Sequence, residues 1–188
     1  KKKEINRMVK SKSINSNTSK PELKNIGDEL LEDVMPDEKW INDLLDELKN
    51  ISPVGFEELC ALVLLENGFE DVDTTSYVND KGIDGYGLLR INLISFKVGF
   101  QCKKYDGSVS SPEIRNFRGS LKSSDDRGLF ITTGRFTNDA KEEAKDSSKQ
   151  PIDLIDGIKL CKLMKDLDLG LNVGEKVTIE PKFFSKYK

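Results

Sequence analysis

The run "GLFITT" at 128–133 narrows the possible folds more than any other segment. Leu129, Phe130 and Ile131 are consecutive apolar residues, so both faces of a strand built from them must be covered. A sheet between two helical layers gives that cover, whereas a sheet with one wet face shows alternation instead. Upstream, "KVGFQCKKY" at 97–105 reads as a strand, and Ser111-Pro112 opens a helix expected to run to about Ser123. A strand–helix–strand unit of this length predicts a parallel crossover. The class is therefore α/β, a central mixed β-sheet flanked by helices on both faces.

The remaining segments extend that frame. From Asp37 to Asn50, Trp40, Ile41, Leu44, Leu45 and Leu48 recur at helical spacing. A second helix is predicted with Ser52 as N-cap, Pro53 in its first position, and Ile51 and Phe56 placed as a hydrophobic staple. Asn67-Gly68 stops it. "DVDTTSYV" at 71–78, "IDGYGLLRI" at 83–91 and the 97–105 run then predict an antiparallel three-strand meander, with "NDKG" as a turn. Thr137 is expected to cap a helix ending near Asp146, "IDLID" to form a strand, and "GIKLCKLMKDL" a last helix. The predicted order is αα-βββ-α-β-α-β-α.

Composition limits the chemistry. The chain of 188 residues contains no histidine, which excludes Ser-His-Asp and Cys-His nucleophile systems, HExxH zinc sites and histidine-based nucleases. Hydrolysis by such a chain must rest on carboxylates and lysine, with a hard metal expected beside them. Cys60, Cys102 and Cys161 lie far apart with no CxxC spacing, a pattern expected of a reducing cytoplasm and not of a zinc cluster. No apolar run is long enough for a membrane span, and no secretory signal is expected. Net charge is −3, but residues 1–26 carry +6 and the other 162 carry −9. Residues 1–36 read as a basic, polar linker or tail, and 37–188 as the folded domain.

The stretch "GIDGYGLLRINLISFKVGFQCKKY" at 82–105 concentrates candidate chemistry. Side chains alternate on a strand, so Gln101 and Lys103 share a face about 6.6 Å apart, and Val98, Phe100 and Cys102 take the core side. Asp84 begins the preceding strand between Gly82 and Gly85, small residues expected to let a ligand approach the backbone. A carboxylate, an amide or carbonyl oxygen and water are ligands that Mg²⁺ accepts. Taken singly, each of these residues reads more readily as part of a solvated strand end; in combination the two readings stand level.

Several segments in register carry more. "SPVGFEELCALVLLENGF", "GIDGYG", "FQCKKY", "IRNFRGSL", "GLFITTGRFTNDAKEEA" and "IDLIDGIKLCKLM" resemble the catalytic domain of Mrr-type restriction endonucleases, from about Ile51 to the closing "PKFFSKYK". These belong to the PD-(D/E)xK nucleases, in a branch where Gln replaces the last acidic residue. The resemblance implies Asp84 as main metal ligand, Gln101 as the substitute for the acid, Lys103 as catalytic lysine and the Cys102 carbonyl as a further ligand. It also places Glu57 in the site, where periodicity alone does not choose between Glu57 and Glu58. It implies a Mg²⁺-dependent endonuclease, with Mn²⁺ able to substitute, acting on double-stranded DNA in restriction of foreign or modified DNA. A homodimer is expected where both strands are cut. The alternatives are a non-catalytic DNA-binding module, or a nuclease for branched junctions or RNA. With Gln101 neutral, Asp84 and Glu57 supply −2, which balances one divalent cation and not two.

Other cationic residues suggest how an acidic protein could hold DNA. Arg115, Arg118 and Lys122 form a basic stripe on the helix after Ser111, with Lys104 nearby, and this reads either as a phosphate track or as a solvated face. "ITTGRF" offers Thr132, Thr133 and Arg135, which the resemblance places near the site and which otherwise form a connecting loop. Gly119 in that helix costs about 1 kcal/mol relative to Ala, so close packing is expected there. Asp156 is expected to cap the last helix.

Overall fold

Two helices lead into the sheet, α1 (Lys39–Asn50) and α2 (Pro53–Glu66). The computed structural model describes residues 39–74, 82–174 and 177–188. The polar lead at 1–36 and most of the "NDKG" turn lie outside these residues. Ser52 caps α2 through its Oγ, which accepts the Gly55 N–H at 2.9 Å. Ile51 and Phe56 are fully buried on either side of that cap, as the staple requires.

The strands are β1 (Phe69–Thr74), β2 (Gly85–Ile91), β3 (Ile94–Lys103), β4 (Ser108–Val109), β5 (Arg127–Thr132), β6 (Arg135–Phe136) and β7 (Ile152–Ile155). The main sheet has the order β1-β2-β3-β5-β7. β1, β2 and β3 run antiparallel as the expected meander, and β5 and β7 add in parallel. β1 begins two residues earlier than expected, because Gly68 takes a left-handed φ of 86° and turns the chain straight from α2 into Phe69.

Three further helices, α3 (Ser111–Ser120), α4 (Asn138–Lys145) and α5 (Gly157–Asp166), complete the layers. Thr137 and Asp156 cap α4 and α5, accepting from Ala140 and Lys159. Alternation on the central strands divides the core in two. Val98, Phe100, Cys102, Leu129 and Ile131 pack with α1, α2 and α5. Phe130 turns the other way and joins Ile114, Phe117, Phe136 and Ala140 under α3 and α4. All three cysteines are buried and free. Among the described residues no helix is long and apolar enough to cross a membrane.

Three further features differ from the sequence reading. α3 ends at Ser120, since Leu121 leaves the helix with ψ 140° to pack against the second core cluster. Beyond α5 the chain forms a small pair of strands, β8 (Leu171–Val173) and β9 (Val177–Ile179), and a short helix α6 (Pro181–Phe184). The Tyr187 carbonyl then accepts from both the N–H and the hydroxyl of Ser52, locking the C-terminal segment onto the start of α2. Finally, Gly119 is not closely packed: a Cβ there would meet nothing within 4 Å. Gly119→Ala is therefore expected to stabilise the domain by about 0.5–1 kcal/mol, read as a rise in the urea midpoint at unchanged slope.

Candidate active site

The site forms where β2 begins and β3 ends. The last paired residues of that ladder are Gly85 and Phe100. Just beyond them the Asp84 N–H donates to the Phe100 carbonyl at 2.9 Å, and Asp84 Oδ2 accepts the Cys102 N–H at 2.6 Å. Both bonds fix the Asp84 carboxylate opposite Gln101. In an extended strand a residue's N–H and C=O point to the same edge, so the Cys102 carbonyl also faces Asp84, past the end of the ladder.

Glu57, one turn into α2, lies near enough to the same carboxylate for the two charges to interact. Burial pushes its carboxyl above the ordinary value, and the charge of Asp84 adds to the rise, with Glu58 a smaller contributor. Burial likewise raises Asp84, opposed by the Cys102 N–H bond. Glu58 is exposed, whereas Glu57 is half-buried, so the structure places Glu57 beside Asp84. Two half-buried like charges next to an outward carbonyl make an all-oxygen donor set of the kind hard cations take. Among the described residues no three acidic or cysteine side chains converge on a metal position. A cation here would thus rest on two carboxylates, the Cys102 carbonyl and water.

Gly82 and Gly85 are both required by packing. Gly82 has φ 94°, and a Cβ on it would come within 3.1 Å of the Gln101 amide nitrogen. At Gly85 a side chain would collide with the Asp73 carbonyl and the Phe100 ring. Both glycines bring the β2 entry against β3, which is what aligns Asp84 with Gln101.

Lys103 lies at the end of β3, on the face of Gln101. Its Nζ contacts Glu113 Oε1 at 2.5 Å and stands 5.5 Å from the centre of the Tyr105 ring. Glu113 Oε2 accepts the Ser110 N–H at 2.9 Å and the Ser110 hydroxyl at 3.2 Å. Burial alone would raise the Glu113 carboxyl, but the bonds from Lys103 and Ser110 together hold it below the ordinary value. Glu113 was not singled out by sequence reasoning, although the spacing Ser110-x-x-Glu113 before Ile114 is the signature of a capping box.

The other cationic candidates divide by how they are engaged. Arg118 is a strut between α3 and α4: it bonds the Glu143 carboxylate, the Glu143 carbonyl at 2.7 Å and the Gln150 carbonyl at 3.1 Å, with its side chain only 11% exposed. Arg115 reaches the same carboxylate at 3.5 Å. Lys104 donates to the Ile51 carbonyl at 2.8 Å, fastening β3 to the α1–α2 junction. The Thr133 hydroxyl accepts from the Tyr105 N–H and donates to its carbonyl, and Thr132 Oγ1 accepts the Gly134 N–H. Lys122 lies beyond the end of α3, exposed, 4.5 Å from the Tyr86 ring centre, and Arg135 is exposed on β6.

Residues 48–164 match the family model of the Mrr catalytic domain, described as a restriction endonuclease. The chain belongs to the Mrr-type restriction endonuclease catalytic-domain family. It is 32% identical over 137 residues to the type IV methyl-directed restriction enzyme EcoKMrr of Escherichia coli (strain K12), a match covering 70% of this chain and 44% of that protein. Among solved structures, the DNA modification-dependent restriction endonuclease AspBHI aligns with a TM-score of 0.59 at 22% identity, over 68% of this chain and 35% of its own. The MspJI restriction endonuclease, solved with a 27-mer oligonucleotide, aligns at 0.56 and 22% identity, over 66% of this chain and 30% of its own. These two likenesses establish the restriction-endonuclease-like fold of the family member described here. The chain spans less than half the length of each relative.

Proposed function

We propose that residues 37–188 form the catalytic domain of a metal-dependent DNA endonuclease that hydrolyses phosphodiester bonds in the restriction of foreign or modified DNA. The observation that carries this reading is the oxygen set of Asp84, Glu57 and the Cys102 carbonyl at the open end of the β2–β3 ladder, with Lys103 on the face of Gln101. Family membership and the names of its relatives support DNA as substrate. The proposed setting is the cytoplasm, with residues 1–36 as a polar lead to the domain.

Asp84 and Glu57 would hold Mg²⁺, or Mn²⁺ in its place. Such a cation, when bound, polarises a phosphate oxygen and acidifies a water. The total charge of −2 suits one cation. Gln101, neutral and set against Gly82, adds an amide to the rim without adding charge. Lys103 faces the developing negative charge on the phosphate and stabilises it. No side chain is a nucleophile in this scheme: a water oxygen bonds to phosphorus as the ester bond to the leaving sugar oxygen breaks, the water gives up a proton and the leaving oxygen takes one up from solvent, and no covalent enzyme intermediate forms. Lys122 and Arg135, being exposed, are the proposed backbone contacts. Arg115, Arg118, Lys104 and Thr133, engaged within the protein, act by holding the elements around the site. One site cuts one strand, so a double-strand break takes a homodimer or two encounters.

The test is cleavage of methylated and unmethylated plasmid with Mg²⁺, Mn²⁺ or EDTA, with Lys103→Ala beside the wild type. Metal-dependent nicking is expected, lowered about 10²-fold or more in Lys103→Ala, an effect of about 3 kcal/mol on the barrier. Binding that weakens with salt but without cutting would point to a DNA-binding module. Cutting confined to RNA or branched junctions would change the substrate class.

A further inference from the structure

We propose that Glu113 is the positioning residue for Lys103, tying its ammonium group to the N-terminus of α3 so that it is presented at the site in one orientation. The inference rests on the nuclease reading above and adds a residue to it. A lysine head sits on a flexible four-carbon stem and is ordered only by what it touches. Two groups bracket this one, the Glu113 carboxylate at 2.5 Å and the Tyr105 ring at 5.5 Å.

The Glu113 bracket is held firmly, and the Tyr105 bracket is held at its backbone. Glu113 divides its oxygens, Oε1 to Lys103 and Oε2 to the Ser110 N–H and hydroxyl, so the carboxylate that holds the lysine is itself held by backbone. The next residue, Ile114, is fully buried, as is Phe117 one turn on, which seats that first turn of α3 against the sheet. On the other side, the Thr133 hydroxyl grips both the N–H and the carbonyl of Tyr105. Lys103 is thereby anchored to one element besides its own strand, α3, with the Tyr105 ring beside it just past the strand end. A charged side chain left half-exposed would otherwise sample many rotamers, and misplacement by about 1 Å is costly to catalysis.

Glu113→Gln separates this role from capping. Glutamine can still accept the Ser110 N–H, as in Gln-type capping boxes, but it offers no charge to Lys103. Ser110→Ala is the complementary variant: it removes a hydroxyl from the cap and leaves the carboxylate facing Lys103. The full chain is examined in each form by three readouts. These are thermal melting, affinity for a methylated DNA duplex in EDTA, and single-turnover cleavage of that duplex with Mg²⁺. The ordered Lys103 ammonium is followed separately by its ¹⁵N NMR signal, assigned by its loss in Lys103→Ala.

Glu113→Gln is expected to melt within about 2 °C of wild type, bind DNA equally, lose the Lys103 signal and cleave about 10- to 100-fold more slowly. Ser110→Ala is expected to keep the signal and cleave within a few-fold of wild type. A wild-type cleavage rate in Glu113→Gln would overturn the proposal, as would an unchanged Lys103 signal. An equal loss of rate in Ser110→Ala would also overturn it, by tracing the effect to the cap. Wild type that cuts nothing, with a Lys103 signal that still depends on Glu113, would refute the nuclease reading while upholding the tether.

Discussion

Asp84→Asn is expected to lower the metal-dependent cleavage rate by about 10³-fold or more, about 4 kcal/mol on the barrier, and yet to leave the metal-free protein no less stable than wild type. The two effects share one cause. Asp84 supplies half the charge available to a cation, and in the metal-free protein that same charge faces Glu57 across a half-buried gap. Both carboxyls are held above their ordinary values, so the folded chain binds more protons than the unfolded one across that window. Their stabilising contribution is complete below the ordinary carboxylate value and is lost as pH rises through the raised ones. Asparagine removes one charge and keeps an oxygen to accept the Cys102 N–H. Melting in EDTA at pH 8 should therefore give a Tm for Asp84→Asn at or above wild type, and added Mn²⁺ should raise the wild-type Tm more than that of the variant. A variant that melts well below wild type would mean that Asp84 is a structural acid. Two tight Mn²⁺ sites in the DNA-free wild type would refute the single-cation reading.

What the sequence disclosed depended on the kind of signal. Strands covered on both faces and helices with a buried stripe announce themselves by period, so the layers and the parallel crossover were legible from "GLFITT" and its neighbours. β4, β6, β8 and β9 are two or three residues long, too short for any alternation. The site divided along the same line. Gln101 and Lys103 were legible as sharing a face because strand period fixes it, whereas Asp84, on the neighbouring strand, joined them through the family resemblance. Glu57 lies on a helix apolar almost all round, where period cannot separate it from Glu58; the family resemblance chose it, and its partial burial near the charge of Asp84 sets it apart in the fold. Arg118 reads on its own helix as part of a phosphate track or a solvated face, because its partner Glu143 belongs to α4 and no local pattern pairs them. The packing role of Gly82 and Gly85 was not legible. Their neighbours are Gln101 and Phe100, brought close only by the β2–β3 register.

Phe130→Ala is expected to cost about 3–5 kcal/mol of unfolding free energy, a large share of the 5–15 kcal/mol or so that a domain commonly has. Phe130 is fully buried at the middle of β5, the strand with cover on both faces, and is paired in register with Gln101. Its ring meets Phe117 of α3 edge-on at 5.4 Å and Phe136 of β6 at 5.8 Å, so truncation leaves a cavity bounded by elements that cannot all close in together. Leu93, fully exposed at the tip between β2 and β3, is the matched control, and Leu93→Ala should change stability by less than about 0.5 kcal/mol. Urea unfolding of the two variants reads the difference directly as a shift in midpoint. The comparison also bears on the chemistry, since Phe117 holds down the helix whose first turn carries Glu113. If Phe130→Ala unfolded within about 1 kcal/mol of wild type, far short of a buried aromatic deletion, α3 would not be packed on the sheet through this ring. Glu113 would then lose the seat from which it orients Lys103.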